Sequence, residues 1–362
     1  MTTRLRIALD AMGGDHAPDM VVAGADLARE RCPNVDFLFV GDEARINALL
    51  ERHPALKLIS TVKHTPDFVA MDAKPSVALR AGRNSSMRLA IDAVAAGDAA
   101  CVVSAGNTGA LMAIAKFVLK TLPGIDRPAI ASILPTQRGE LVMLDLGANL
   151  ECDADNLVQF AVMGTVFSRT VLGLLNPTIG LLNVGSEEQK GHEQIREAAA
   201  ALRATPLAPY FHGFIEGNDL ALGTVDVVVT DGFTGNVALK TAEGTAKLYA
   251  EFLKRTFKSS LLAKLGYVLA SGAFNKLRQR MDPRRYNGAM FLGLRGICVK
   301  SHGGTDAVGF SNAIAVAANM ANHGFNEKIR DQLAVLQAAL NAAATADQVK
   351  DVSATGSETA VQ

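Results

Sequence analysis

The stretch RIALDAMGGDHAPD, residues 6–19, decides how the rest of the chain is read. Ile7 to Leu9 is a short apolar run suited to a strand covered on both faces. It passes at once into Asp10, Gly13, Gly14, Asp15 and His16. The same step from core to charge and bare backbone recurs in SAGNTGAL (104–111), DLGAN (145–149), NVGSEEQKG (183–191), TDGFTGN (230–236) and KSHGGTD (300–306). In open α/β sheets, ligands bind beyond the carboxyl ends of the strands, where glycines let backbone N–H groups approach an anion and the next helix begins. The six ends are therefore expected to crowd one rim of one sheet and to form the site there, with Asp10 where the core stops and the cleft starts.

Between these turns, β-rich runs alternate with Ala-rich segments of helical period, which predicts an α/β fold with a mixed, mainly parallel sheet flanked by helices. Strands are expected at Leu5 to Leu9, Val35 to Val40, Leu56 to Ser60, Ala99 to Val103, Ile130 to Leu134, Leu141 to Leu144, Ile179 to Leu182, Val225 to Val229 and Ile297 to Val299. AIASILPTQRGELVML (129–144) and AMFLGLRGICVK (289–300) each set two strands around a short Arg-Gly turn and read as hairpins. No repeat and no Gly/Ser or Pro-rich linker divides the chain, so residues 1–343 are expected to be one domain. Residues 344–362 lose the apolar period and read as a disordered tail.

The composition sets outer limits. With 362 residues, 49% of them hydrophobic, the chain can bury a large core. Its 36 Lys and Arg balance its 36 Asp and Glu, so there is no overall pull toward nucleic acid, and none is expected as a partner. The four cysteines form no CxxC pair and read as buried free thiols of a reducing compartment. The first apolar run is too short for a secretory signal, and no run approaches the roughly 20 residues that span a bilayer, so a cytoplasmic location is expected.

The turns also narrow the chemistry. SAGNTGAL, with Ser104, Gly106, Asn107, Thr108 and Gly109, nearly matches DGFTGNVAL, with Asp231, Gly232, Thr234, Gly235 and Asn236. Both lead into helices. Together they suggest a cradle for an oxyanion or phosphate, although either alone is an ordinary tight turn. Asn149, Asn183 and Gly185 belong to companion turns. Neither the GK[ST] ending of a P-loop nor GxGxxG occurs, and no cofactor is expected. The histidines lack metal-ligand spacing, so no metal is expected, and Asp10, Asp15 and His16 otherwise read as a polar loop bonding its own backbone. Ser104 is not in a GxSxG elbow. Lys190 lies just beyond a buried strand and is the leading candidate for a cation at the site; the alternative is a solvated Lys paired with Glu187 or Glu188. His302 is a second candidate, or else a strand-end cap.

Taken together and in order, DAMGGDHAP, SAGNTGAL, GIDRPA, LLNVGSEEQKG and VVVTDGFTGNVALK resemble the bacterial phosphate acyltransferases of phospholipid synthesis, over essentially residues 5 to 340. The resemblance implies transfer of a fatty acyl group from acyl carrier protein to inorganic phosphate, giving acyl phosphate. It also implies a homodimer and a sheet related to those of phosphotransacetylases and isocitrate dehydrogenases. The acyl-phosphate-dependent glycerol-3-phosphate acyltransferase is a further expected partner. On this reading Lys190 holds phosphate, Asn236 and Asn107 serve the phosphate or the oxyanion, and His302 bonds near the carbonyl or the leaving sulfur. Asp10, Asp15 and His16 shape the rim.

From Lys254 to Arg285 the chain carries nine Lys or Arg and one acid, Asp282, a local charge of +8 in a chain of net charge 0, leaving −8 elsewhere. In the same segment Phe257, Leu261, Leu262, Leu265, Val268 and Leu269 recur at helical spacing, which predicts a protruding basic helix pair over about 242–283 with an apolar tip. A face used in dimerisation, a dock for acidic acyl carrier protein and adsorption to anionic lipid remain open. Lipid is preferred, because a few apolar side chains at roughly 1.5–3 kcal/mol each and about 1 kcal/mol per nearby cation suffice for reversible, peripheral membrane association. Two other functions fit the sequence less well. An NAD-dependent decarboxylating dehydrogenase needs an Asp cluster and a cofactor loop that the sequence lacks, and a non-catalytic lipid-surface adaptor has no use for six polar strand ends.

Overall fold

The computed structural model describes residues 4–280 and 282–339. Eleven strands form one sheet: β1 (Leu5–Asp10), β2 (Val35–Gly41), β3 (Ser60–His64), β4 (Cys101–Ser104), β5 (Ala129–Pro135), β6 (Glu140–Leu144), β7 (Ile179–Leu182), β8 (Phe211–Ile215), β9 (Val227–Val229), β10 (Ala289–Leu292) and β11 (Ile297–Lys300). Across the sheet the order is β3-β2-β1-β4-β11-β10-β5-β6-β9-β7-β8. Both expected hairpins are present, since β5 pairs with β6 and β10 with β11, each antiparallel. The two hairpins also meet, β10 against β5. All other pairings are parallel, so the sheet is mixed and mainly parallel.

The hairpins have a geometric consequence. Strands β1 to β5 and β11 run one way, whereas β6 to β10 run the other. The ends of β1, β4 and β11 therefore lie at one edge, and those of β6, β9 and β7 at the opposite edge of the strand direction. The expectation of a single rim is thus corrected: the six turns form two groups of three.

Successive side chains of a strand point to opposite faces. Accordingly Ile7, Leu9, Phe37, Phe39, Val103, Leu144, Leu181 and Val229 join one buried cluster, under the helices Asp19–Arg31, Ala154–Phe167, Glu193–Arg203 and Ala307–Asn322. Ala8, Val40, Val102, Met143, Val228 and Cys298 join the other, under Ser86–Ala95 and Thr108–Leu119. Because both faces are covered, the central strands read as continuous apolar runs.

Two strand assignments shift. The run from Leu56 becomes a one-turn helix, Pro54–Lys57, with Pro54 at its first position, and β3 begins at Ser60. Proline's fixed φ suits that position, and a short apolar run does not by itself separate strand from helix. Edge strand β8, Phe211–Ile215, was not anticipated; Gly213 interrupts its apolar pattern. Residues 242–283 hold three helical pieces rather than two: the end of Gly232–Lys258, then Leu261–Leu269 and Ser271–Arg280. The expected tail, 344–362, lies outside the described residues.

Candidate active site

The first group of turns closes around Asp10. This carboxylate ends β1 and is 1% exposed. Its Oδ1 accepts a hydrogen bond from the Ser86 hydroxyl (2.6 Å) and its Oδ2 one from the Ser104 hydroxyl (2.6 Å), while Ser104 Oγ accepts from Gly106 N–H (3.0 Å). Gly13 packs so closely that a Cβ there would lie 2.8 Å from the Gly106 nitrogen. Burial pushes the Asp10 pKa above its ordinary value, opposed by the two serines, the Met12 amide and Lys300. Asp10 and Ser104 therefore tie strand ends together from inside and do not line a cleft, which corrects the expectation for both.

Asn107 is likewise engaged. Its Oδ1 accepts from Ala110 N–H (2.8 Å), capping Thr108–Leu119, and its Nδ2 donates to the carbonyls of Met71 (2.6 Å) and Ala73 (3.1 Å). It pins the 71–73 turn beside the site, and both ends of its amide are in use. Thr108 and Gly109 are exposed in the same first turn, while Gly14 is half-buried beside Asp15 and His16, which face solvent. Asp15 donates its backbone N–H to the Gly303 carbonyl (3.0 Å), joining the turns after β1 and β11.

His302 stands on the third turn and is exposed. Its Nδ1 accepts from Gly304 N–H (3.3 Å) and its own N–H donates to Asn287 Oδ1 (2.9 Å). With Nδ1 an acceptor, the neutral ring carries its proton on Nε2. Burial of part of the ring and the charges of Lys300, Lys240 and Lys247 hold its pKa below 6.5, with Glu243 opposing, so the neutral form prevails at neutral pH.

The second group closes around another buried carboxylate, Asp145. Its Oδ1 accepts from the N–H groups of Ile130 (2.9 Å), Gly147 (3.2 Å) and Ala148 (3.0 Å), and its Oδ2 from Asn149 N–H (2.7 Å) and Nδ2 (2.9 Å). Asn149 Nδ2 also donates to Pro128 O, and its carbonyl accepts from Gly232 N–H (2.7 Å), so Asn149 is a brace. Asp231 caps the helix Gly232–Lys258, accepting from Thr234 N–H and hydroxyl, both at 2.8 Å. A Cβ at Gly235 would collide with the Asp145 carbonyl; only glycine lets the helix start this close. Asn236 is exposed, and its Nδ2 donates to Leu146 O (3.1 Å).

β7 lies directly beside β9, so the turns that follow them start roughly 5 Å apart. Asn183 accepts from Val184 N–H (2.9 Å) and donates to the Lys190 carbonyl (3.1 Å), folding the 183–191 turn, with Gly185 against the Lys190 side-chain stem. Lys190 is exposed. The pairing with Glu187 or Glu188 is not formed: Glu188 bonds Arg203 (2.6 Å), and Lys190 has no ion pair among the described residues.

Gly232–Lys258 begins on the Asp145 turn, and Lys240, one helical turn after Asn236, is among the charges that lower the His302 pKa. Lys190 lies on the turn neighbouring that of Asn236. The sequence reading missed Asp145, Ser86, Lys240 and Lys300. For Lys300 a signal existed: it ends the apolar run ICVK opposite Ser104, on the face that also carries buried Cys298. Cys101 and Cys298 are buried and Cys32 and Cys152 half-buried, all free; burial pushes Cys101 and Cys152 up to about 12 and raises the others.

Residues 5–328 match the family described as "Fatty acid synthesis protein". The phosphate acyltransferase of Rhodospirillum centenum is 81% identical over 354 residues, covering 98% of this chain and all of that one, and that of Rhodospirillum rubrum is 62% identical over 93% and 97%. The chain belongs to the bacterial phosphate acyltransferase family. Like other members of the phosphate acyltransferase family it is an acyltransferase of lipid synthesis. The phosphotransacetylase of Streptococcus pyogenes shares the fold (TM-score 0.60, 17% identity, 89% of this chain and 95% of that one). A branched-chain phosphotransacylase of Enterococcus faecalis does so too (0.55, 13%, 88% and 99%). The expected likeness to the phosphotransacetylase sheet is therefore met.

Proposed function

We propose that the chain transfers a fatty acyl group from acyl carrier protein thioester to inorganic phosphate, with phosphate held by the second group of turns and the thioester end by the first. A phosphate oxygen attacks the carbonyl carbon, the C–S bond breaks, and the thiolate takes up a proton. About half of inorganic phosphate is dianionic at neutral pH and a thiol of pKa about 8.5 is a good leaving group, so the protein need not supply a strong base. It must place two reactants and stabilise developing charge. Lys190, whose ammonium forms no ion pair among the described residues, and Asn236 serve the phosphate; the Nε2–H of His302 serves the carbonyl oxygen or the sulfur.

The observation that carries this reading is the exposed Lys190, without an ion pair among the described residues, on the turn beside the one from which the helix of Asn236 starts. The test incubates the purified chain with acyl-acyl carrier protein and phosphate and traps acyl phosphate with hydroxylamine. Phosphate-dependent acyl hydroxamate is expected, whereas thioester loss without it would refute the reaction. A dehydrogenase has no comparable support.

The apolar stripe of Leu261–Leu269 supports peripheral attachment to anionic lipid. Leu261, Leu262 and Leu269 are 83%, 82% and 80% exposed, with Leu265 and Val268 on the same arc. Phe257 is corrected: it turns inward, its ring 5.5 Å from Tyr267 and 4.9 Å from Phe274. Among the described residues no helix is long and apolar enough to cross a membrane. A homodimer, with the glycerol-3-phosphate acyltransferase as consumer of the product, completes the proposal.

A further inference from the structure

The first group of turns contains a buried cation that the reaction as written does not use. Lys300 ends β11 and is 7% exposed. Its Nζ donates to the carbonyls of Ala105 (3.3 Å) and Ser301, the first on the turn after β4 and the second beside His302. Ser301 is fixed further: Asn287 Nδ2 donates to its hydroxyl (2.8 Å), and Asn287 Oδ1 accepts from His302 N–H. The same turn is tied to the β1 end through Asp15 N–H and Gly303 O. A Lys is rarely buried unless paired, and Lys300 forms no ion pair within 4 Å among the described residues. The carboxylates of Asp10 and Asp15 act on it at longer range.

We propose that Lys300 is a positioning residue for acyl transfer, clamping the turn that carries His302 to the turn after β4. The proposal rests on the reading of His302 as the group beside the thioester. A buried ammonium bonded only to carbonyls is costly to hold by folding alone, yet it does two things that an apolar side chain does not. It orders two strand-end turns through their backbones, and it repels a proton from His302, so that Nδ1 remains the acceptor of Gly304 N–H and the ring keeps its place on the turn. Burial holds the Lys300 pKa down to about 8, against the pull of Asp10, Asp15 and Cys298. The charged groups acting on His302 are Lys300 from within and Lys240, Glu243 and Lys247 from the helix Gly232–Lys258.

The test uses the full-length chain with Lys300→Met, which keeps the stem and removes the charge. His302 is followed by NMR titration, and kcat/KM against pH. His302 protonates as pH falls through its depressed pKa, so the acid limb of the wild type includes a fall below pH 6.5. In Lys300→Met the imidazole pKa is expected to rise and that limb to move to higher pH, with kcat/KM at neutral pH at least tenfold lower. Should Lys300→Met fold poorly, Lys300→Met with Asp10→Asn removes both charges and is expected to keep the activity defect. An unchanged His302 titration with kcat/KM within twofold of wild type, in whichever variant folds, overturns the proposal. Full activity in His302→Ala would instead defeat the underlying reading of His302, a different outcome.

Discussion

At the scale of single residues, buried carboxylates organise both groups of turns. Asp10 and Asp145 each sit at a strand end and accept hydrogen bonds from neighbouring turns through both oxygens, so that the backbone beyond them is held before any substrate arrives. Removing the Asp10 carboxylate leaves the hydroxyls of Ser86 and Ser104 without their acceptor, and each unsatisfied buried group costs about 1–3 kcal/mol. Asp10→Ala is therefore expected to lose about 2–5 kcal/mol in urea unfolding, and Asp10→Asn, which keeps an acceptor oxygen, clearly less. Equal loss in both would show that charge, not hydrogen bonding, is what matters. The sequence exposes these positions as charges after apolar runs, but it does not show which way they face. Asp10 reads as a rim residue because burial of a lone carboxylate depends on Ser86, 76 residues away. Asn107 and Asn149 hide their partners for the same reason: these are backbone atoms of turns that only the fold brings close.

At the scale of elements, period and punctuation were sufficient for most strands, because helices on both faces force continuous apolar runs. They failed at Pro54–Lys57, where four residues carry too little period, and at Phe211–Ile215 on the sheet edge. In Leu261–Leu269 the inward face, with Tyr267 on the rings of Phe257 and Phe274, leaves Leu262 and Leu265 to solvent. Replacing both by Glu is expected to abolish flotation with anionic vesicles while leaving acyl transfer in solution near wild type. Unchanged flotation would remove lipid adsorption as the role of that stripe.

At the scale of the whole molecule, the two antiparallel hairpins decide where chemistry can occur. An all-parallel sheet would have placed six strand ends on one rim, as the repeated pattern of turns suggested. The hairpins reverse half of the sheet and so separate the turns into two groups. The turns themselves were legible in the sequence, and their family resemblance with them; their division into two groups was not, since strand direction across a sheet is not encoded in any one segment. With phosphate proposed at one group and the thioester at the other, binding of phosphate alone separates them. Calorimetric titration with inorganic phosphate is expected to show binding at least tenfold weaker in Lys190→Ala than in wild type, and unaltered binding in His302→Ala. Phosphate affinity that is unchanged by Lys190→Ala, or lost equally in both variants, would contradict that division.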